Sequence, residues 1–110
     1  MSKWADKLID AVKFNSQHSH IDYIQCRDDL GESVSNNKET LSRQEVITKI
    51  KKGVNFCTIF RGEDGKWKYG AAVTIITIDG EEFIKTKADR LKKDNLDNLP
   101  EFSRSSSLGL

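Results

Sequence analysis

Gly70 to Thr86, GAAVTIITIDGEEFIKT, is the stretch whose reading decides the fold. Val73, Thr74, Ile75, Ile76, Thr77 and Ile78 are all β-branched, which suits a pleated, packed strand. Asp79-Gly80 interrupts the run. A two-residue Asp-Gly loop supplies the positive φ angles of a type I′ turn, whose twist matches that of paired strands. Glu81 to Thr86 then returns as a second strand. Val73, Ile75 and Thr77 share one face, and Thr74, Ile76 and Ile78 the other. With both faces largely apolar, Val73–Ile78 is expected at the centre of a sheet or covered on both sides. The return strand is more polar, with Glu82, Lys85 and Lys87 beside Phe83 and Ile84, and is expected to be half-exposed.

Upstream, Asp6 to Asn15 (DKLIDAVKFN) is ambiguous. Leu8, Val12 and Phe14 share strand parity, which Asp10 breaks, while Trp4, Leu8, Ile9, Ala11 and Val12 also fit a helix. The polar cluster Asn15-Ser16-Gln17 and the strand pattern His20 to Asp28 (HIDYIQCRD) favour a hairpin. Asp29 to Thr40 is polar, holds Gly31 and Asn36-Asn37, and reads as a loop. Ser42-Arg43-Gln44-Glu45 has capping-box spacing and opens a helix over Arg43–Lys52. Val46, Ile47 and Ile50 form its apolar stripe. Lys49, Lys51 and Lys52 crowd its last turn, where cations suit the macrodipole, and Gly53 is placed to end it in the left-handed conformation.

Val54 to Arg61 alternates as a strand. Glu63-Asp64-Gly65 reads as a turn, and Lys66 to Tyr69 as a short strand ahead of Gly70. Beyond Thr86 the pattern fades into Lys87–Lys93 and the turn-rich Asp94 to Pro100, whose two leucines can pin it to the core. The expected architecture is α+β: a mainly antiparallel sheet of about five strands in ββαβββ order, with the one helix packed on a face. Core candidates are Val12, Phe14, Ile24, Val46, Ile50, Phe56, Ile59, Ile75, Ile76, Phe83 and Leu96. Residues 1–102 are expected to form one domain and 103–110 a flexible tail. If the single helix covers one face only of Val73–Ile78, a homodimer through the sheet would cover the other.

Composition narrows the function classes. At 110 residues, with 32% charged and 8% aromatic residues, the chain has the make-up of a small soluble cytoplasmic domain. It has no apolar run long enough for a membrane helix and no secretory signal pattern, so Cys26 and Cys57 are expected to be reduced thiols. The net charge of +1 hides an asymmetry: residues 1–37 carry −2, residues 38–93 carry +5 and residues 94–110 carry −2.

Three constellations could carry chemistry. His18-Ser19-His20 with the two cysteines has metal-ligand residue types, but no Cys-x-x-Cys or His-x₃₋₅-His spacing, so neither metal nor cofactor is expected. A nucleophilic cysteine needs a base and an orienting group. Cys26 shares its strand face with Asp22 and Asp28, which raise a thiol pKa. The second constellation is Lys85-Thr86-Lys87, Arg90, Lys92 and Lys93, leading into Asp94-Asn95. It could bind phosphate or an acidic partner, whereas a structural reading has Asp94 and Asn95 bonding neighbouring amides and docking Leu96. The third interleaves Trp67 and Tyr69 with Lys66 and Lys68. On an open sheet such an array stacks bases and meets phosphates, and it equally describes an edge strand guarded by lysines. The candidate binding surface is therefore Lys66, Trp67, Lys68, Tyr69, Lys85, Lys87, Asp94 and Asn95.

WADKLIDAVKFNSQHSHIDYIQC, LSRQEVITKIKKG and FIKTKADRLKKDNLDNLPEF resemble the small bacterial proteins grouped as domain of unknown function 3892. The likeness lies in the opening strand pair, the short helix followed by Gly, the strand end Phe83-Ile84-Lys85-Thr86, the Asp94-Asn95-Leu96 signature and Leu99-Pro100. It spans residues 4–102 and implies a small α+β domain without an assigned reaction. The expectation is a non-catalytic binding or adaptor domain for a protein partner. Nucleic-acid binding through the basic-aromatic strand is the alternative, and a small enzyme would require a concave pocket with convergent polar groups.

Overall fold

A computed structural model of the chain describes residues 4–16, 20–31, 33–87, 91–96 and 99–101. Among these residues seven strands and one helix follow in the order β1 (Lys7–Phe14), β2 (Ile21–Asp28), β3 (Glu39–Ser42), α1 (Arg43–Lys51), β4 (Phe56–Arg61), β5 (Trp67–Ala72), β6 (Thr74–Ile78) and β7 (Glu81–Lys85). The fold is α+β, but its main sheet is mixed. The strand order is β3-β2-β1-β4-β5, with β1 antiparallel to β2 and parallel to β4, and β6-β7 form a separate two-stranded sheet. The expected ββαβββ order is therefore corrected. A parallel pair needs a long crossover, and the chain between β1 and β4 supplies one through β2, β3 and α1.

The centre of the main sheet is β1, not Val73–Ile78. Leu8, Ile9, Asp10, Ala11 and Val12 are all buried. The break that Asp10 makes in the apolar alternation is a β-bulge: the register steps from Ile9↔Cys26 to Ala11↔Gln25, which leaves Asp10 without an opposite residue. Its carboxylate accepts from Arg27 Nε at 2.8 Å and Gln25 Nε2 at 3.0 Å. A buried charge is tolerable only when so paired.

Two apolar clusters pack against the two faces of β1. On one, Ile9, Val12, Ile24, Cys26 and Phe56 meet Val46 and Ile47 of α1, Ile84 of β7 and Leu96. On the other, Leu8, Cys57 and Ile59 are covered by Ala5, Val34 and Trp67. The small β6-β7 hairpin thus lies with α1 on the first face. Of the expected core, Val12, Ile24, Val46, Phe56, Ile59, Phe83 and Leu96 are buried, Phe14, Ile50 and Ile75 pack on the cluster half-buried, and Ile76 is half-exposed.

Local signals survive where they depend on neighbours in sequence. Ser42 Oγ accepts from the Glu45 amide at 3.1 Å, and the Ser42 amide donates to Glu45 Oε1 at 2.8 Å. Gly53 has φ 97° and donates its amide to Ile50 O at 3.0 Å. Asp79 and Gly80 have φ 51° and 81° between the paired Ile78 and Glu81, as a type I′ turn requires.

Gly70 to Ala72, read above as the start of the hairpin, belongs to β5. The β4–β5 register shifts between Cys57 and Ile59, and a Cβ at Gly70 would lie 2.3 Å from Thr58 Oγ1. Glycine is the residue that fits this close approach. Val73 then turns the chain from one sheet to the other, buried and with its amide donating to Phe56 O at 2.9 Å.

Candidate binding surface

The eight candidate residues separate into two groups on two sheets. Lys66, Trp67, Lys68 and Tyr69 lie at and along β5, which ends the main sheet and, among the described residues, pairs with β4 alone. Lys66, Lys68 and Tyr69 are exposed. Trp67 is half-buried, with the guanidinium of Arg61 at 4.1 Å and that of Arg27 at 5.1 Å from its ring centre. Arg27 is in turn held by Asp10 and by Ser35 O. The Trp67 ring is thus engaged by two cations of its own chain, while Tyr69 makes an edge-to-face contact with Trp4 at 6.1 Å. Lys68 reaches Asp64 at 3.4 Å.

Among the described residues, backbone geometry leaves β5 as an open edge. Gly62 N donates to Lys66 O at 2.8 Å, so this pair is hydrogen-bonded. Hydrogen-bonded pairs alternate along an antiparallel ladder. Phe60↔Lys68 is the next one, and Trp67 and Tyr69, opposite Arg61 and Ile59, turn their N–H and C=O groups outward.

Beside that edge, where β1 and β4 begin and β5 ends, lies a cleft of about 360 Å³. Trp4 and Tyr69 form its rim, Ile50 and Val54 its helix side, and Phe56, Cys57 and Val73 lie among its lining. Trp4 and Tyr69 are 40% and 46% exposed, large for aromatic rings. Sequence reasoning reached Tyr69 but not the cleft, because Trp4, Ile50 and Val54 meet it only through the fold. Asp10 and Arg27 were missed likewise. The one sequence signal was an aspartate inside an apolar strand.

The second group belongs to the C-terminal crossing. Lys87 is exposed just after β7, whereas Lys85 is fully buried and donates from Nζ to Leu91 O at 2.7 Å. The Asp94 side chain has no exposed surface. Its Oδ2 accepts from the Ile21 amide at 2.7 Å and Arg43 Nε at 2.7 Å; its Oδ1 accepts from the Ile84 amide at 2.9 Å and Arg43 Nη2 at 3.1 Å. Asn95 continues through backbone bonds, from its amide to Ile84 O and from Thr86 N to its carbonyl, both 3.0 Å. Leu96 drops into the core. His20 packs nearby, stacked on Phe83 at 5.5 Å with Nε2 3.0 Å from Glu81 Oε2. His18, Arg90 and the tail 103–110 lie outside the described residues. Lys92 pairs with Asp79 at 2.9 Å.

Residues 8–100 match a family model described as a protein of unknown function, DUF3892. The chain belongs to the DUF3892 family. Comparison with curated proteins and with solved structures finds no match. The DUF3892 span takes in β5, the cleft's helix side and the Asp94 crossing, and leaves out Trp4 and Ala5 on the cleft's rim. Among the described residues no helix is long and apolar enough to cross a membrane.

The two thiols of this DUF3892 chain are buried and free. Cys26 on β2 and Cys57 on β4 flank β1, two strand spacings or roughly 9–10 Å apart, beyond the ~7 Å Cα separation a disulfide spans. Burial pushes the Cys26 thiol up to about 12, helped by the charge of Glu39 and opposed by Lys7. Burial likewise raises Cys57 to about 11, with Asp29 adding to it. Aspartates were the expected cause at Cys26; desolvation leads instead, and Asp28 is a lesser contributor. Both thiols are protonated at neutral pH and weak as nucleophiles.

The folded state therefore keeps protons that the unfolded chain releases from about pH 9. Stability from this source is full below that pH and is lost as pH rises toward the folded values. Urea unfolding at about pH 8 and about pH 10.5 should show a steeper fall for the wild type than for Cys26→Ala/Cys57→Ala. Lys7, whose pKa is raised by Asp28, is common to both proteins and cancels from the difference. A constant gap between the two proteins across this range would refute the assignment.

Proposed function

We propose that the protein is a non-catalytic binding domain that holds a protein partner along the open edge of β5. The observation that carries this reading is the outward-facing backbone of Trp67 and Tyr69 beside an aromatic-rimmed cleft. An unpaired strand edge offers a row of donors and acceptors that an extended segment of another chain can complete, and adjacent pockets supply selectivity. Phe60, on the opposite face of the same hairpin, is 49% exposed and extends the apolar surface available to a partner. The two guanidinium groups on Trp67 weigh against base stacking at that ring.

The test compares capture from native lysate by the tagged wild type and by Tyr69→Pro. Proline is tolerated where an edge N–H faces solvent, and it removes the donor an added strand needs. A stoichiometric protein that resists nuclease and is lost with Tyr69→Pro supports the reading. Material lost on nuclease or at about 0.5 M salt, and held equally by Tyr69→Pro, would replace it with nucleic-acid binding through Lys66 and Lys68.

A further inference from the structure

The hairpin β6-β7 has two outer edges, and they differ. Ile78 and Glu81 flank a two-residue type I′ turn, so Ile78↔Glu81, Ile76↔Phe83 and Thr74↔Lys85 are its hydrogen-bonded pairs. In the pairs between them, Ile75↔Ile84 and Thr77↔Glu82, the N–H and C=O groups point away from the hairpin. On β7 those groups are taken. Asp94 Oδ1 accepts from the Ile84 amide, the Asn95 amide donates to Ile84 O, and Arg43 Nη2 donates to Glu82 O. On β6, among the described residues, no hydrogen bond meets the outward groups of Ile75 and Thr77. This edge also carries none of the devices that blunt a free strand: TIITI holds no charge and no proline, and its register with β7 has no bulge. Thr74 and Thr77 are exposed, and Ile75 and Ile76 are half-buried.

We infer that β6 pairs antiparallel with β6 of a second copy of this chain, about a two-fold axis at Ile76. The register follows from the outward groups. Ile75 and Thr77 flank Ile76, so an axis there sets Ile75 of each copy opposite Thr77 of the other, each pair exchanging both N–H···O bonds. Charge selects a second copy as the occupant. A two-fold axis sets the central residue opposite itself. On β6 that residue is an isoleucine, which packs against its counterpart. On β5, where Trp67 and Tyr69 face outward, it would be Lys68, and like charges directly opposite repel. β6 is therefore the edge suited to self-pairing, and β5 the edge suited to a different chain. The resulting sheet, β7-β6-β6-β7, ends on both sides at the edge that Asp94 and Asn95 occupy, so pairing stops at two copies. One short strand makes a small, reversible interface. Dilute protein is monomeric, and there the cost of truncating Ile76 is that of the single chain. The pairing does not depend on the β5 reading.

Sedimentation velocity of the full chain from about 5 to about 500 µM tests this and should show a monomer–dimer equilibrium. Thr77→Pro removes an outward donor from each copy and leaves the β6-β7 ladder untouched. It should weaken dimerisation at least about tenfold, while Tyr69→Pro should leave it unchanged. Circular dichroism confirms that each variant is folded. Cross-linking tests the register without a proline. Ile76→Cys sets its thiols across the axis in a non-hydrogen-bonded pair, with Cα atoms about 4.5 Å apart and within reach of a disulfide. It should yield a covalent dimer on mild oxidation, since Cys26 and Cys57 are buried. Thr77→Cys, whose two copies stand two residues out of register, should cross-link far more slowly. Monomer at every concentration would overturn the inference, whether another protein or another part of this chain takes the edge. A dimer lost in Tyr69→Pro and kept in Thr77→Pro, equal cross-linking at the two positions, or open-ended assembly would overturn it as well.

Discussion

Asp94→Ala is expected to lower the unfolding free energy by about 3–5 kcal/mol at neutral pH, as measured by urea denaturation. The magnitude follows from what one carboxylate holds. Its two oxygens take the amides of Ile21 at the start of β2 and Ile84 on β7, together with the Arg43 guanidinium at the first turn of α1. The main sheet, the hairpin and the helix therefore meet at a single side chain with no exposed surface. Removing it leaves two backbone donors without an acceptor, each costing about 1–3 kcal/mol when buried. It also leaves the Arg43 guanidinium, whose side chain is only 23% exposed, without its counter-charge and with the Glu82 carbonyl as its remaining partner. Asp94→Asn keeps an acceptor of the same shape but loses the charge, and should fall between the wild type and alanine. Arg43→Ala should cost less than Asp94→Ala, because Asp94 would keep both amides. A loss below about 1 kcal/mol for Asp94→Ala would show that the crossing is not held in this way.

The same residue shows what a sequence can and cannot disclose. Asp94-Asn95-Leu96 stood out as a turn signature, and its structural reading had Asp94 bonding neighbouring amides and Leu96 docked in the core. The amides prove to be distant in sequence: Ile21 is 73 residues away. No spacing rule reports such a partner. The capping box, the glycine after the helix and the Asp79-Gly80 turn were legible because each is closed within a few residues. The central strand was misplaced for the opposite reason. Asp10 made β1 look interrupted, whereas a bulge and a cross-strand arginine allow that charge inside. β3, four residues with Leu41 as its single buried one, straddles the polar loop reading of Asp29 to Thr40 and the capping residue Ser42, too short to show a strand pattern of its own. For the candidate surface, the basic-aromatic run on β5 was visible in the sequence. The cleft beside it was not, since its walls come from the chain's beginning, the helix end and the β5–β6 junction.

Phe83→Ala is expected to cost about 3–5 kcal/mol, and Ile76→Ala about 1 kcal/mol or less, although the two residues pair across one hairpin. Directly opposed residues share a face of the sheet, so the difference comes from what covers that face. Phe83 has no exposed surface. His20 stacks on its ring, and the buried Lys85, two residues along the same face, places Nζ 5.8 Å from the ring centre. Ile76 lies on β6, one strand further out, where cover is incomplete and the neighbouring Thr77 is exposed. Truncating Phe83 opens a cavity in packed surroundings that relax only partly, so a cavity cost adds to the lost transfer free energy. Truncating Ile76 surrenders only the part of its apolar surface already removed from water, on the order of 25 cal/mol per Å². Composition alone ranks these strands the other way: TIITI is uniformly β-branched, while EEFIK carries three charges. Burial follows position in the fold. β7 lies against the Asp94 crossing, and its polar groups are satisfied there, as Lys85 is by Leu91 O. Urea denaturation of the two variants measures the ordering, and equal costs would show that Ile76 on β6 is covered as fully as Phe83 on β7.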